Sequence, residues 1–79
     1  MTIRNYLKKH SIKQNTFALS IGYTPQRLND YLTGKRQPGI KAIARICGGT
    51  LRECNEWDLL RELNPKLYES VKILRKVKG

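Results

Sequence analysis

The sequence predicts an all-α fold: a compact bundle of about five short helices with a C-terminal extension. Two observations carry this. Apolar residues recur at three- and four-residue spacings, the mark of a helix with one buried face. Cap and stop residues then punctuate those runs, with Gly22, Thr24-Pro25, Gly34 and Asn64-Pro65 at the clearest boundaries. At 79 residues the chain makes one domain with a small core. A chain of this size buries only about 60% of its unfolded surface.

The first helix is expected over residues 2–9, with Ile3, Tyr6 and Leu7 on its inner face and Lys8 and Lys9 suited to the negative end of its dipole. Ile12 is the next residue expected inside. A second helix covers roughly 14–21, burying Phe17, Ala18 and Ile21. Ser11 and Gln14 have capping-box spacing, which would start it at Ile12, whereas a start at Lys13 or Gln14 fits a bend better. Gly22 stops it. The third helix has Thr24 as cap, Pro25 at its first position, Leu28, Tyr31 and Leu32 inside, and Gly34 at its end.

Lys35-Arg36-Gln37-Pro38 forms a basic loop. The fourth helix spans about 39–47, with Ile40, Ile43, Ala44 and Cys47 inward, and Gly48-Gly49 breaks it. Thr50 and Glu53 form a second capping box, opening a fifth helix that carries Leu51, Cys54, Trp57 or Asp58, and Leu60, with Trp57 sealing the core. Asn64-Pro65 ends that helix and can cap another. The helix-turn-helix unit is assigned to residues 1–64 and the extension to 65–79. Leu67, Val71 and Leu74 fit a helix there. Val71, Ile73 and Val77 set against Lys72, Lys76 and Lys78 partly fit a strand. The cap followed by a first-position proline favours the helix. Those apolar residues either cover the core or meet a partner, so the extension is a candidate dimerisation element or a basic tail.

Sixteen Lys and Arg stand against six Asp and Glu, a net charge of +10. The excess is uneven: residues 1–50 hold nine basic and one acidic side chain, and residues 51–79 hold seven and five. A basic surface attracts a polyanion, and the charge points to nucleic acid. One His and no metal-ligand spacing leave no catalytic constellation. Cys47 and Cys54 fall on apolar positions and read as small buried hydrophobes in a reducing compartment rather than as a zinc site or disulfide. No apolar run is long enough to span a membrane, and Met1-Thr2-Ile3-Arg4 lacks the apolar core of a signal peptide. The expected location is the cytoplasm, on the bacterial nucleoid or in a phage-infected host.

Residues 14–38 thus read as a short helix, a glycine turn, a strongly capped second helix and a basic exit loop, the pattern of a helix-turn-helix that places its second helix in the DNA major groove. Gln14, Phe17-Ala18, Ile21-Gly22, Thr24 and Gly34-Lys35-Arg36-Gln37-Pro38, in that order and spacing, resemble the Cro/repressor-type helix-turn-helix proteins of phages and bacteria. The resemblance covers roughly residues 3–54. It implies a bundle of about five helices that binds operator DNA as a dimer. Family members often pair an Arg in the first helix with a Glu at the end of the third. Leu7 and Leu32 stand at those positions and are expected to touch, since packed hydrophobes readily replace a buried ion pair. The stretch from Pro38 to Gly48 is short for the family, which shortens the fourth helix, and the tail beyond Pro65 has no counterpart in its core pattern.

In helix-turn-helix geometry the start of the third helix faces the groove. Base reading is assigned to Gln26, whose amide can bond adenine N6 and N7 together, with Arg27, Asp30, Thr24 and Pro25 beside it. Arg27 can pair with guanine or reach a phosphate. Asp30 can accept from cytosine N4, orient Arg27 or Gln26, or simply pair with Arg27 one turn away. Phosphate contacts are assigned to Lys13, Gln14, Asn15, Tyr23, Lys35, Arg36 and Gln37. Tyr23 can donate to a phosphate or pack on the third helix, and Tyr6 and Tyr31 are expected in the core. The expected function is transcriptional regulation, as a Cro-like repressor on a palindromic operator. Its expected partners are double-stranded DNA and a second copy of the chain, with no cofactor, metal, membrane or small-molecule ligand. The alternative is an antitoxin-like or accessory subunit that keeps the scaffold for protein contacts.

Overall fold

A computed structural model describes the backbone of residues 1–78 and the side chains as far as Ile73. Six helices follow one another: α1 (Ile3–Lys9), α2 (Gln14–Ser20), α3 (Pro25–Thr33), α4 (Ile40–Gly49), α5 (Glu56–Leu63) and α6 (Pro65–Lys78). The tail is therefore helical through Lys78, and the strand reading of residues 66–78 is not realised. The expectations for the side chains of Leu74, Arg75, Lys76, Val77 and Lys78 lie outside the described residues.

The core draws on the first five helices. Ile3, Leu28, Ile43, Ile46 and Leu59 lose all but a trace of their exposure, and Tyr6, Leu7, Phe17, Ala18, Tyr31 and Leu32 surround them. The expected inner faces of α1, α2 and α3 hold, with Ile12 and Ile21 half-buried at the margin. Leu7 and Leu32 are both buried and border one hollow together with Arg4 and Ile12. Arg4 also reaches over to α3, donating from Nη2 to the Leu32 carbonyl at 2.7 Å.

Three helix stops share one device. After α1, Ser11 takes φ +53°, Ser11 N–H donates to the Lys8 carbonyl, and Ile12 N–H donates to Leu7. After α2, Gly22 takes φ +82°, with Gly22 N–H to Leu19 and Tyr23 N–H to Ala18. After α4, Leu51 takes φ +53°, with Leu51 N–H to Gly48 and Arg52 N–H to Cys47. This is the Schellman pattern, which satisfies carbonyls that a helix end leaves without donors. Because Ser11 is left-handed, it cannot serve as an N-cap; the Ser11–Gln14 capping box does not form and α2 starts at Gln14, with Lys13 before it.

The second half corrects several expectations. α4 runs straight through Gly48-Gly49 and is ten residues long, so it is not shortened. Gly49 is there for closeness rather than for a break: a Cβ would collide with the Ile21 Cγ2 methyl and sit 3.1 Å from Phe17 Cζ. The buried face of α4 is Ala42, Ile43, Ile46 and Cys47; Ile40 is 55% exposed and Ala44 faces solvent. The spacing Ile40-Ile43-Ala44-Cys47 is equally helical, but packing selects the neighbouring stripe.

The Thr50–Glu53 capping box does not open a helix. Thr50 Oγ1 donates back to the Cys47 carbonyl at 2.7 Å and accepts from Cys54 N–H at 3.2 Å, tying a two-residue left-handed turn at Leu51-Arg52. Asn55 is the true cap of α5, its Oδ1 accepting from Asp58 N–H at 2.7 Å. Leu51 is 86% exposed. Trp57 is half-buried, meeting Tyr68 edge-on at 5.8 Å between α5 and α6 rather than closing the core. Cys47 and Cys54 are buried free thiols, and burial pushes both above the ordinary thiol range. Cys47 Sγ donates to the Cys54 carbonyl at 3.1 Å.

Asn64 joins the two ends of the chain's second half. Its Oδ1 caps α6 by accepting from Leu67 N–H at 3.2 Å, and its buried Nδ2 donates to the Pro38 carbonyl at 3.0 Å. The cap at Asn64-Pro65 therefore also pins the exit of the loop that follows α3. Through Leu67, Tyr68 and Val71, α6 lies against the core.

Candidate nucleic-acid interface

α3 is positioned by strong local signals. Thr24 Oγ1 accepts from Arg27 N–H at 3.2 Å, Pro25 presets the first helical φ, and Gly34 at φ +85° ends the helix. With Leu28, Tyr31 and Leu32 facing the core, the outer face carries Gln26, Asn29, Asp30 and Thr33. All four can bond base edges, and none is apolar.

These side chains are linked into a network. Gln26 Nε2 donates to Asp30 Oδ1 at 2.9 Å, one turn along the helix. Asp30 Oδ2 lies 4.0 Å from Arg36 Nε, and Arg36 N–H donates to the Asp30 carbonyl at 3.1 Å, so the exit loop folds back on α3. Gln14 Nε2 donates to Asn29 Oδ1 at 3.3 Å, joining the start of α2 to the same face. Asp30 thus orients Gln26 and Arg36. It does not pair with Arg27, which the i, i+3 spacing offered as a partner.

Arg27 lies on the flank of α3. Its Nε donates to the Tyr31 hydroxyl at 3.1 Å, and its guanidinium stacks 4.9 Å from the Tyr23 ring centre. The Tyr31 hydroxyl, bonded to this cation, pushes its already high pKa further up. Tyr23 is buried, meeting Tyr31 edge-on at 5.9 Å, so its ring packs on α3. Pro25 is half-buried beside the cap. Lys13, Asn15, Lys35, Arg36 and Gln37 are exposed and Gln14 is half-buried. Lys13 and Gln14 border the hollow that also holds Arg4 and Lys8.

Two residues were not singled out by sequence. Asn29 follows Leu28 and gives no signal until the helix phase puts it beside Gln14. Arg45 reads as an ordinary solvated cation of α4; only tertiary packing puts it over Tyr23, at 5.4 Å. Apart from Asp30, the acidic residues in ion pairs lie elsewhere: Glu53 faces Lys9 and His10, Glu56 faces Arg52, and Asp58 faces the amino group of Met1. Among the described residues no group of three or more His, Cys, Asp and Glu could hold a metal ion, and no helix is long and apolar enough to cross a membrane.

A short α2, a positive-φ glycine turn and a capped α3 with a polar outer face define a helix-turn-helix protein, the class that lays its second helix in the DNA major groove. The helix-turn-helix family model matches residues 3–52, from the first residue of α1 through the turn after α4, and the chain belongs to that family. No curated protein and no solved structure matches the chain.

Proposed function

We propose that the protein is a sequence-specific transcriptional regulator of the Cro-like repressor type, binding a two-fold operator as a homodimer with α3 in the major groove. The observation that supports this best is the outer face of α3. Gln26 is held by Asp30 one turn away, and Asp30 in turn faces Arg36 of the exit loop. A pre-oriented amide loses less freedom on bonding a base and discriminates better for it. Gln26 reads adenine, Asp30 accepts from a cytosine or fixes Gln26, and Thr24 and Pro25 complete the base contact at the start of the helix. Lys13, Gln14 and Asn15 on one side, and Lys35, Arg36 and Gln37 on the other, hold the phosphates and set the register. Tyr23 contributes by packing under α3.

Residues 1–64 form the recognition unit, and the extension 65–79 supplies dimer contacts. Ile40, Ile43, Trp57, Leu60 and Val71 line a groove beside α5 and α6, and Ile73 is 60% exposed on α6. Dimers of this class bind half-sites one helical turn apart, about 34 Å. Repression follows by covering a promoter, on DNA in the cytoplasm of a bacterial cell. The same groove is what an antitoxin-like or accessory subunit would use for a different protein.

Selection of bound duplexes from a random pool near physiological salt tests the reading, because non-specific electrostatic binding is weakened there. A two-fold motif is expected. A single asymmetric half-site would remove the dimer, and recovery of no motif would remove the regulator in favour of the protein-binding role.

A further inference from the structure

We propose that Arg27 and Arg45, stacked on Tyr23, clasp one DNA phosphodiester at the turn between α2 and α3, and that Arg27 acts there rather than on a base edge. This rests on the DNA-binding reading above and assigns a role to a residue of α4.

The geometry separates Arg27 from the reading face. Residues four apart share a helix flank. Gln26 and Asp30 share the outer one, whereas Arg27 shares its flank with Tyr31, whose ring is buried. The Nε bond to the Tyr31 hydroxyl and the stack on Tyr23 hold the guanidinium back along that flank.

Arg45 arrives from α4 at the same ring. The two central carbons lie 4.9 and 5.4 Å from one ring centre, so they can be no further apart than those distances together. Tyr23 is buried while both arginines are exposed, so a packed ring holds two cations that remain open to solvent. Gly22 lies beside this approach; a Cβ there would make ordinary contact with Arg45 Nη1 at 3.5 Å.

No carboxylate lies within 4.0 Å of either guanidinium among the described residues; the ion pairs present use other cations. Two like charges on one ring, with no carboxylate paired to either, raise the affinity of the spot for an anion. Guanidinium planes match phosphate oxygens in pairs, which suits a phosphodiester better than a point cation would. The adjoining start of α3 adds the positive end of its dipole. The first turn of α3 approaches the groove in this class of protein, which puts the neighbouring DNA backbone within reach of the clasp.

The test is duplex binding by fluorescence anisotropy across a salt series, using the best duplex from the pool selection. Arg45→Gln is expected to bind about tenfold more weakly. Its salt slope falls by about one phosphate contact, with the selected motif unchanged. Arg27→Gln gives the same signature. Arg45→Lys, which keeps the charge and loses the plane, retains the slope with weakened affinity. Arg52→Gln, a cation that already faces Glu56, serves as the charge control. Circular dichroism verifies that each variant is folded. If Arg45→Gln matches the control in slope and affinity while the unmutated protein binds, the clasp is overturned and the DNA reading stands. If Arg27→Gln changes preference at one base pair, Arg27 is a base reader and the proposal fails. If the unmutated protein binds no duplex, the DNA reading fails and takes the clasp with it.

Discussion

Single side chains tie separate parts of the bundle together. Asn64 is the clearest case, because one amide caps α6 and holds the Pro38 carbonyl in a buried bond. Asn64→Ala removes a cap worth about 1 kcal/mol and strands a buried carbonyl at about 1–3 kcal/mol. Urea unfolding should show a loss of about 2–4 kcal/mol, large for a domain this small. Gly49 runs against propensity. In an open helix, glycine to alanine gains up to about 1 kcal/mol. Here the added methyl meets Ile21 and Phe17, so Gly49→Ala should instead destabilise by about 1–2 kcal/mol in the same assay. From the sequence, Gly48-Gly49 reads as a helix break, because nothing in it reveals that α2 crosses at that point. Asn64-Pro65, by contrast, is legible as a cap, while its bond to Pro38 is not, since the partner lies 26 positions away.

Among elements, α3 is the most legible. Thr24, Pro25 and Gly34 act within a few residues of themselves, and each does what its local chemistry requires. α5 is the least legible. Thr50 and Glu53 have the spacing of a capping box, but the left-handed pair Leu51-Arg52 intervenes and Asn55 does the capping. A left-handed L-residue costs roughly 1–2 kcal/mol, and Leu51 is too exposed to regain that by burial. Leu51→Gly should therefore stabilise the protein by about 0.5–1 kcal/mol after glycine's own entropy is counted, visible as a raised Tm. The same turn places Glu53 against α1. Burial pushes its carboxyl up, but hydrogen bonds from Lys9 and His10 and the charges they carry outweigh this, and the net value lies below the ordinary carboxylate range. A lowered folded value means the contribution is present above the unfolded pKa of about 4.3 and is lost as pH falls through the folded one. The stability advantage of the wild type over Glu53→Gln should therefore shrink as pH is lowered below about 4, as followed by thermal melts.

Along the whole chain, the positive excess and most of the apolar groove's lining fall in different parts. The amino-terminal fifty residues hold nine of the sixteen cations and one acid, Asp30, which faces Gln26 and Arg36. The apolar groove lies beside α5 and α6, lined in part by α4. Ile40 and Ile73 are exposed, so charging them should change monomer stability by no more than about 0.5 kcal/mol. If the proposed dimer is built on this groove, Ile40→Asp and Ile73→Asp should each give a folded monomer in sedimentation equilibrium and weaken DNA binding through lost avidity; an unmutated protein that is already monomeric would remove that dimer. The bundle and its charge are readable from composition and spacing because both follow from local rules. The α4 stripe, the Tyr23 platform and the place of Arg45 are not, because each depends on which helix lies across from which.

The measurement that bears most directly on the central claim is the energy of Gln26→Ala resolved by base pair, taken over single-base variants of the selected duplex. If α3 reads DNA through Gln26, the variant loses about 1–3 kcal/mol at one position of each half-site and leaves the others unchanged. A uniform loss across all positions, or none, would contradict the account and reduce Gln26 to a surface amide.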